Sequence, residues 1–293
     1  MTSAVRSTKL YHLGCPAWSI SEWRGTFLHA GTRTAEFLGE YSKTFNTVEG
    51  NSFFYALPKI NVVERWVSQA AEGFEFCFKV PRDLSHFGTL KSEGAVYDRL
   101  IQCLDCVIQA GKLGPTFLQL HASFSPERLD ELESFCKRWP DRFPLAVEVR
   151  HLDFFTDDTS AHRLNQFLES HGVDRVIFDS RGLFHAPPGD PAEEISQGRK
   201  PNLPVRWETT GQRPMIRFVG RNEIVSVLRW QREVAERVAF WINEGKHPYV
   251  FMHTPCDTLA PYLCRQFHEL LQNHISELPD IVFPQKQEQI ELF

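Results

Sequence analysis

Short apolar runs that break off into polar or ring side chains recur eight times along the chain. They end near Gly14, Glu49, Lys79, Gln119, Glu148, Asp179, Arg217 and His253. Most are followed by residues with the 3.6-residue periodicity of an amphipathic helix. Alternating strands and helices favour a parallel sheet, and eight such units favour closure. The pattern therefore predicts a single (β/α)8 TIM barrel.

The same pattern places the predicted elements and the domain limits. Strands are predicted at 10–14, 47–49, 74–80, 116–121, 145–149, 176–178, 215–219 and 249–253, and helices at 34–45, 60–70, 95–110, 126–136, 161–169, 225–243 and 259–273. The barrel domain is expected to span 10–279, after an N-terminal extension at 1–9 and before a short flexible tail at 280–293. The aperiodic segment 183–213 predicts a long loop after the sixth strand.

Composition narrows the class of protein. The chain has 293 residues, a net charge of -5 and 42% hydrophobic residues, which is ordinary for a globular domain and argues against a uniformly basic nucleic-acid coat. The first nine residues lack the apolar core of a secretory signal, and no stretch approaches the roughly 20 apolar residues of a membrane span. The seven scattered cysteines predict a reduced protein. We therefore expect no membrane association and a cytoplasmic location.

Three acidic residues at strand ends are the candidate catalytic groups: Glu49, Glu148 and Asp179. In a TIM barrel the carboxyl ends of the strands form the active-site face, so these side chains are expected to share one mouth. Glu148 and Asp179, with histidines at other strand ends, could bind a divalent metal cofactor. The alternative is a structural network in which the acids pair with Arg150, Arg181 or Lys79.

A second set of residues near the strand ends is suited to binding a ligand. Trp18 and Tyr55 could stack on a sugar or a nucleobase, or could pack as a lid. Basic side chains could neutralise phosphate, and residues 197–221 carry six of them against one acid. That stretch could also be a solvated loop. The predicted ligand-binding set is Trp18, Asn51, Tyr55, Lys79, Gln119, Arg150, His151 and Arg217.

The last five residues form a separate motif. Gln289, Ile290, Leu292 and Phe293 are similar to the peptide motif that binds the bacterial sliding clamp. Two apolar residues at the end of a polar tail favour a partner pocket, and the sliding clamp is the predicted partner. The alternative is a frayed end or a tail folded back on its own domain. The Walker A, dinucleotide-binding, zincin and α/β-hydrolase motifs are missing from the sequence.

Several of these strings together resemble one known family. The strings Thr47–Pro58, Phe76–Arg82, Gln119–Leu120, Val147–His151 and Asp179–Arg181 are similar to those of the YecE-like family, domain of unknown function 72. The resemblance runs from about residue 10 to 275 and implies a TIM barrel with no established activity. It departs from many members at Cys15-Pro16-Ala17, where they have Thr-Ser-Gly, at Val219, where they have histidine, and around His253, where they are rich in asparagine.

These observations lead to one main hypothesis and two alternatives. The main hypothesis is a barrel that acts on a phosphate-bearing ligand or nucleic acid, as a metal-dependent hydrolase of the phosphodiesterase type recruited to the sliding clamp. A carbohydrate-active barrel would instead use Glu49 and Glu148 as its paired carboxylates. The other alternative is a non-catalytic module that only binds a ligand.

Overall fold

Residues 10–283 are described by a computed structural model, and they alternate between strands and helices. The strands are β1 His12–Gly14, β2 Thr47–Gly50, β3 Glu75–Phe78, β4 Thr116–Gln119, β5 Leu145–Glu148, β6 Asp174–Asp179, β7 Met215–Val219 and β8 Tyr249–His253. The helices are α1 Phe37–Thr44, α2 Ser52–Tyr55, α3 Ile60–Gln69, α4 Arg82–Ser85, α5 Ala95–Gln109, α6 Leu129–Arg138, α7 Asp153–Thr156, α8 Asp158–Ser170, α9 Arg181–Phe184, α10 Pro191–Arg199, α11 Leu228–Asn243 and α12 Ala260–Gln272. Short 3-10 turns lie at Ser21–Trp23, Thr34–Glu36, Pro126–Arg128 and Ile224–Val227.

The strands pair in parallel and form two sheets. The larger is a curled six-stranded sheet in the order β1-β8-β7-β6-β5-β4, and the smaller pairs β2 with β3. In the larger sheet Arg217 of β7 lies opposite Phe251 of β8 and Phe178 of β6. The α/β class and the parallel pairing are as predicted. One continuous eight-stranded ladder, as in the predicted TIM barrel, is not what the strand pairing shows.

Backbone contacts join the smaller sheet to the larger one on both sides. Next to β1, the amide of Glu49 donates to the carbonyl of Cys15 at 3.0 Å. Next to β4, Lys79 forms an isolated parallel bridge with Phe117, and the amide of Val80 donates to the Phe117 carbonyl at 3.0 Å. The two sheets therefore meet at both edges through short contacts that end before a regular ladder forms.

Side chains alternate between the two faces of each strand, because successive residues of a strand point to opposite faces. One face carries a buried cluster of Cys77, Phe117, Ala146, Val176, Met215, Tyr249 and Phe251. The other face packs against the helices through residues such as Val147, Ile216 and Val250. This double burial explains why the strands appear in the sequence as nearly continuous apolar runs.

The segment after β6 differs from the predicted long loop. It contains the short helix α9 and the helix α10, and the Asp190 side chain caps α10 by accepting from the amides of Ala192 and Glu193. Asp190 followed by Pro191 is a helix-start signal, and the predicted long loop did not take it into account. Residues 200–214 then run without regular structure.

The start of the predicted tail packs on the domain. Phe283 contacts the rings of Phe27 and Tyr262, and Thr44 donates to the carbonyl of Val282. The residues of the proposed clamp motif, Gln289, Ile290, Leu292 and Phe293, lie outside the described residues, so clamp binding stays a prediction. Within residues 10–283 no helix has both the length and the apolar character needed to span a bilayer.

The contact between β1 and β2 predicts the effect of one substitution. A Cβ atom on Gly14 would lie 2.1 Å from the backbone oxygen of Thr47, and a backbone atom cannot move aside as a side chain can. We expect Gly14→Ala to lower the free energy of unfolding by about 1–3 kcal/mol in urea denaturation. Gly198→Ala in α10 is the control, because its Cβ meets open space and should gain up to about 1 kcal/mol. Equal stabilities of the two variants would contradict the close approach.

Candidate functional site

Six polar side chains from six strands meet at the carboxyl ends of the strands, a region that we call the mouth. They are Glu49 of β2, Lys79 just after β3, Gln119 of β4, Glu148 of β5, Arg217 of β7 and His253 of β8. All six are buried, and the two glutamates are completely so. They continue the strand face that carries the Phe117 and Met215 cluster. Strand alternation alone is thus enough to bring these residues together.

Arg217 lies at the centre of the mouth. Its Nε and Nη2 donate to the two carboxylate oxygens of Glu49 at 2.8 and 2.7 Å, a bidentate pair. Its Nη1 donates to Glu148 Oε2 at 2.5 Å and reaches Gln119 Oε1 at 3.4 Å. Burial opposes the charge on Arg217, but the two carboxylates outweigh burial and raise its pKa. One guanidinium therefore serves both buried acids.

Glu49 has no spare capacity to accept a proton or bind a metal. Besides the two bonds from Arg217, it accepts from Asn51 Nδ2 at 2.8 Å and contacts His253 Nε2 at 2.9 Å. Burial raises its pKa, but the charges of Arg217 and His253 outweigh burial and hold the pKa well below its usual range. Burial lowers the pKa of His253, against the opposing charge of Glu49, and His253 Nε2 donates to the carboxylate.

A hydrogen-bonded chain runs from Lys79 to His86. Gln119 Oε1 accepts from Lys79 Nζ at 2.8 Å, so the Gln119 amide nitrogen faces His86 Nε2 at 3.4 Å. His86 Nδ1 lies 2.8 Å from the hydroxyl of Ser85, which donates to the carbonyl of Pro81. These partners assign the His86 proton to Nδ1. Burial and the charge of Lys79 lower the pKa of His86 to about 4, in agreement with a neutral ring.

Burial strongly lowers the pKa of Lys79. The pKa is about 7, with burial as the largest cause and the charge of Arg217 as the next. The ring of Phe54 lies 3.7 Å from Nζ and covers it. Within residues 10–283 no carboxylate lies at ion-pair distance from this ammonium. A lysine in these surroundings exists in both the amine and the ammonium form near neutral pH.

Lys200 also faces the mouth, although it comes from the irregular segment after α10. The Ser180 hydroxyl, directly after β6, donates to the carbonyl of Pro201 at 2.8 Å and holds this segment against the strand end. Burial lowers the pKa of Lys200, and the charges of Asp257, Arg217 and Glu49 also act on it. The Lys200 amide donates to the carbonyl of Ser196, but among the described residues no hydrogen-bond or ion-pair partner of its side-chain ammonium is found.

Asp179 lies outside the mouth, contrary to the expectation that the three acids share it. Its carboxylate accepts from Arg181 Nε at 3.0 Å and Nη2 at 2.9 Å, and Arg181 also binds Glu233 of α11. Val176 and Phe178 use the inner face of β6, so Asp179 points to the helix side. The alternative prediction, in which the acids pair with arginines in a structural network, thus describes Asp179. It also describes Glu148, which accepts from Arg150 Nε at 2.6 Å.

The remaining predicted site residues surround the mouth. Asn51 joins Glu49 to the carbonyl of Pro16. Trp18 packs edge-on against Trp66 and Phe76, so it belongs to the packing of the domain. Tyr55 is 72% exposed at the rim. His151 contacts Asp153 and, within residues 10–283, makes no hydrogen bond or ion pair with the central residues of the mouth.

The basic stretch 197–221 is mostly structural. Arg206 binds Asp158, Arg221 binds Glu193, and the Arg213 amide donates to Asp174. Only Arg217 and Lys200, of the stretch's six basic residues, are found at the mouth in the described part of the chain. The sequence analysis did not select Lys200 or His86, because each reaches the mouth through a turn whose path has no clear sequence signal.

The acids of the mouth do not fit a divalent metal. Within residues 10–283 no group of three or more His, Cys, Asp or Glu is arranged to hold an ion. The donor set gives the reason, because arginines occupy carboxylate oxygens of Glu148 and Asp179 that a metal would need. A paired-carboxylate glycosidase also fits poorly, since it needs one protonated acid. Arg217 and Arg150 overcome burial and hold the pKa of Glu148 at about 2.

The buried pair of Glu148 and Arg217 predicts an acid-sensitive part of the stability. Because the folded-state pKa of Glu148 lies below its ordinary 4.5, its contribution is complete above about pH 4.5 and is lost as pH falls toward about 2. Glu148→Gln should cost about 3–5 kcal/mol at pH 7 and flatten this part of the pH profile. The measurement is urea denaturation at several pH values. Glu133→Gln, at an exposed pair, should leave stability nearly unchanged and keep the wild-type profile.

Comparisons with known proteins all indicate the same family. Residues 12–288 match the model of the family described as "Protein of unknown function DUF72". The chain is 35% identical over 269 residues to the UPF0759 protein YecE of Escherichia coli K12, covering 92% of this chain and 95% of that protein. It is 24% identical over 198 residues to the UPF0759 protein YunF of Bacillus subtilis, covering 66% and 64% of the two chains.

Two solved structures are similar to this fold. A DUF72 family protein of Enterococcus faecalis superposes with a TM-score of 0.70 at 18% identity, covering 94% of this chain and 99% of that one. A DUF72 family protein of Thermotoga maritima gives a TM-score of 0.67 at 22% identity, covering 90% and 100%. At these identities the likeness concerns the fold and not the chemistry of the mouth.

Proposed function

Because this chain belongs to the DUF72 family, whose description assigns no function, we propose a function from its own mouth residues: it binds a phosphate-bearing small molecule there. The observation that carries the proposal is the surplus of positive charge at the mouth. Lys79 and Lys200 have no ion-pair partner within the described residues, although both are at least half-buried. An anionic ligand would provide the missing counter-charge.

A balance of charges shows that the surplus belongs to the two lysines. Glu49 and Glu148 are the completely buried carboxylates of the mouth, and Arg217 and Arg150 neutralise them. Asp257 is the remaining acid near Lys200, and burial raises its pKa and weakens its charge. The arginine charges are balanced by these carboxylates, so the positive charge that remains for a ligand comes from Lys200 and from the ammonium form of Lys79. Phosphate oxygens accept several hydrogen bonds and carry the required charge.

Arg150 adds a donor with the geometry that phosphate prefers. Its Nε binds Glu148, its guanidinium lies over the ring of Phe178 at 5.0 Å, and it is half-buried. No hydrogen bond from its two Nη atoms is found within residues 10–283. A planar guanidinium held by an acid on one side and a ring below is suited to offering its free edge to a phosphate.

A concave surface beside the mouth could hold the rest of a ligand. It is lined by Phe54, Tyr55, Pro81, Asp83 and Arg99, among others. Phe54 belongs to both places, since its ring covers Lys79 and also lines this surface. A ligand with its phosphate at the mouth could therefore rest an apolar or planar part on Phe54 and Tyr55.

The proposal includes closure of the two sheets into one eight-stranded barrel. The contacts of Glu49 with Cys15 and of Val80 with Phe117 support closure on either side of the small sheet. Arg217 also supports it, because this residue of the large sheet binds Glu49 of the small one. A closed barrel would place all mouth residues around one axis.

The test is binding of glycerol 3-phosphate to the full chain and to Lys200→Ala, by calorimetry. Because the Lys200 ammonium has no hydrogen-bond or ion-pair partner within residues 10–283, and alanine keeps the backbone bond to Ser196, the substitution should leave stability unchanged. It should weaken binding about tenfold, the loss expected for one charged hydrogen bond. Lys137→Ala is the matched control, since Lys137 pairs with Glu133 on the exposed side of α6.

Three outcomes would contradict the proposal. They are absence of binding by the wild type, equal affinity in Lys200→Ala, and an equal loss in Lys137→Ala. A short single-stranded oligonucleotide is included as a competitor. If it binds more tightly than glycerol 3-phosphate and Lys200→Ala weakens it as well, the ligand is a nucleic acid and not a small molecule.

A further inference from the structure

Lys79 can exist as a neutral amine, a form that phosphate binding does not require. A lysine that only bound phosphate would work best as a permanent ammonium ion. Lys79 is instead placed where the ammonium ion is disfavoured, with 7% of the residue exposed and arginines nearby. Desolvation and neighbouring cations are the two means by which proteins make a lysine nucleophilic.

We infer that Lys79 is a nucleophile that forms a Schiff base with a phosphorylated small molecule carrying an aldehyde or ketone. The inference rests on the proposed function, because the phosphate is what would hold the carbonyl compound at the mouth. It names the substrate class of that site, a carbonyl compound with a phosphate group, and gives Lys79 a covalent role.

The backbone around Lys79 fixes the position of the amine. The amide of Lys79 donates to the carbonyl of Gly50 at 3.2 Å, and the next amide, that of Val80, donates to Phe117. Lys79 is thus held between β2 and β4 on both sides. A nucleophile on a strand end is positioned more accurately than one on a free loop, and accurate positioning lowers the barrier to attack.

The surroundings of Nζ favour the amine without binding its lone pair. Gln119 Oε1 is an acceptor, so it accepts a hydrogen bond from an N–H of Nζ and leaves the nitrogen lone pair free. Gln119 cannot turn its amide group toward Lys79, because Oε1 also faces Arg217. The ring of Phe54 favours the ammonium form, but burial and the charges of Arg217 and Arg150 act in the opposite direction.

The reaction balances without a further reactant. The lone pair of the Lys79 amine attacks the carbonyl carbon, and the carbonyl oxygen takes up a proton to give a carbinolamine. The nitrogen then loses one proton, the hydroxyl group takes up a proton and leaves as water, and a carbon–nitrogen double bond forms. The nitrogen finally releases its second proton, so the two protons that the oxygen takes up equal the two that the nitrogen loses. The net change is amine plus carbonyl compound to imine plus water, and no electron transfer is needed.

The experiment is reductive trapping of the full chain. The protein is incubated with dihydroxyacetone phosphate, reduced with sodium borohydride and mapped by peptide mass spectrometry. Glycerol 3-phosphate, the same molecule with a hydroxyl in place of the carbonyl, is the matched ligand control. The expected result is one reduced adduct, on Lys79, with dihydroxyacetone phosphate and none with glycerol 3-phosphate. Labelling should rise with pH around 7, well below the range of an ordinary lysine.

Two variants separate a specific from a general reaction. Lys79→Met should fold, since it removes a buried charge and keeps a similar apolar stem, and it should lose the adduct. Lys112→Arg is the control, because burial also lowers the pKa of Lys112 but its Nζ binds the carbonyls of Ala70 and Ala71, away from the mouth. This variant should keep full labelling of Lys79.

The outcomes distinguish this inference from the proposed function. If glycerol 3-phosphate binds and dihydroxyacetone phosphate leaves no adduct on Lys79, the Schiff base is wrong and phosphate binding stands. If neither compound binds or reacts, both are wrong. Adducts spread over many lysines, and unchanged in total in Lys79→Met, would also overturn the inference.

Discussion

The contact on which this molecule most depends is the buried guanidinium of Arg217 between Glu49 and Glu148. Glu49 belongs to the two-stranded sheet, and Glu148 and Arg217 belong to the six-stranded one. The ion network therefore ties the two sheets together through side chains, in addition to the backbone contacts at the sheet edges. Removing any one member would leave a charge in a region without water, which costs more than the network contributes when complete. Arginine suits this position because its planar group can bind one acid with two hydrogen bonds and still reach a second.

The same guanidinium sets the chemistry of its neighbours. It donates to both carboxylate oxygens of Glu49, keeps Glu148 ionised and shares the acceptor Gln119 Oε1 with Lys79. Because the Gln119 carbonyl is taken by two cations, its amide faces His86 and assigns a neutral tautomer to that ring. The positive charge that stabilises the acids also disfavours an ammonium at Lys79. Structure and reactivity at the mouth are therefore coupled through one side chain.

Much of this arrangement was predictable from strand alternation. The apolar runs located every strand within a few residues, and Glu49, Lys79, Gln119, Glu148 and Arg217 meet as the sequence predicted. Asp179 does not lie at the mouth, where it was predicted. The prediction considered only that the residue ends a strand, and not which face of the strand its side chain occupies. Val176 and Phe178 occupy the inner face of β6, so Asp179 occupies the opposite face. This alternation could be predicted from the sequence once the bounds of the strand are correct. Lys200 and His86 could not be found in this way, since their positions depend on turns fixed by single hydrogen bonds, such as that of Ser180 to Pro201.

The metal hypothesis finds no support in the donor set of the mouth, for a reason that applies to parallel strands in general. Acids at the ends of parallel strands can serve a metal, an acid–base pair or a buried cation, and residue type alone does not distinguish the three. What distinguishes them is the number of arginines that reach the same layer, and Arg150 and Arg217 supply two for Glu148 alone. Once the acids are neutralised internally, the unpaired side chains of this layer within residues 10–283 are the lysines. The proposal that the mouth recognises a ligand by its negative charge and acts through an amine follows from this distribution of charge.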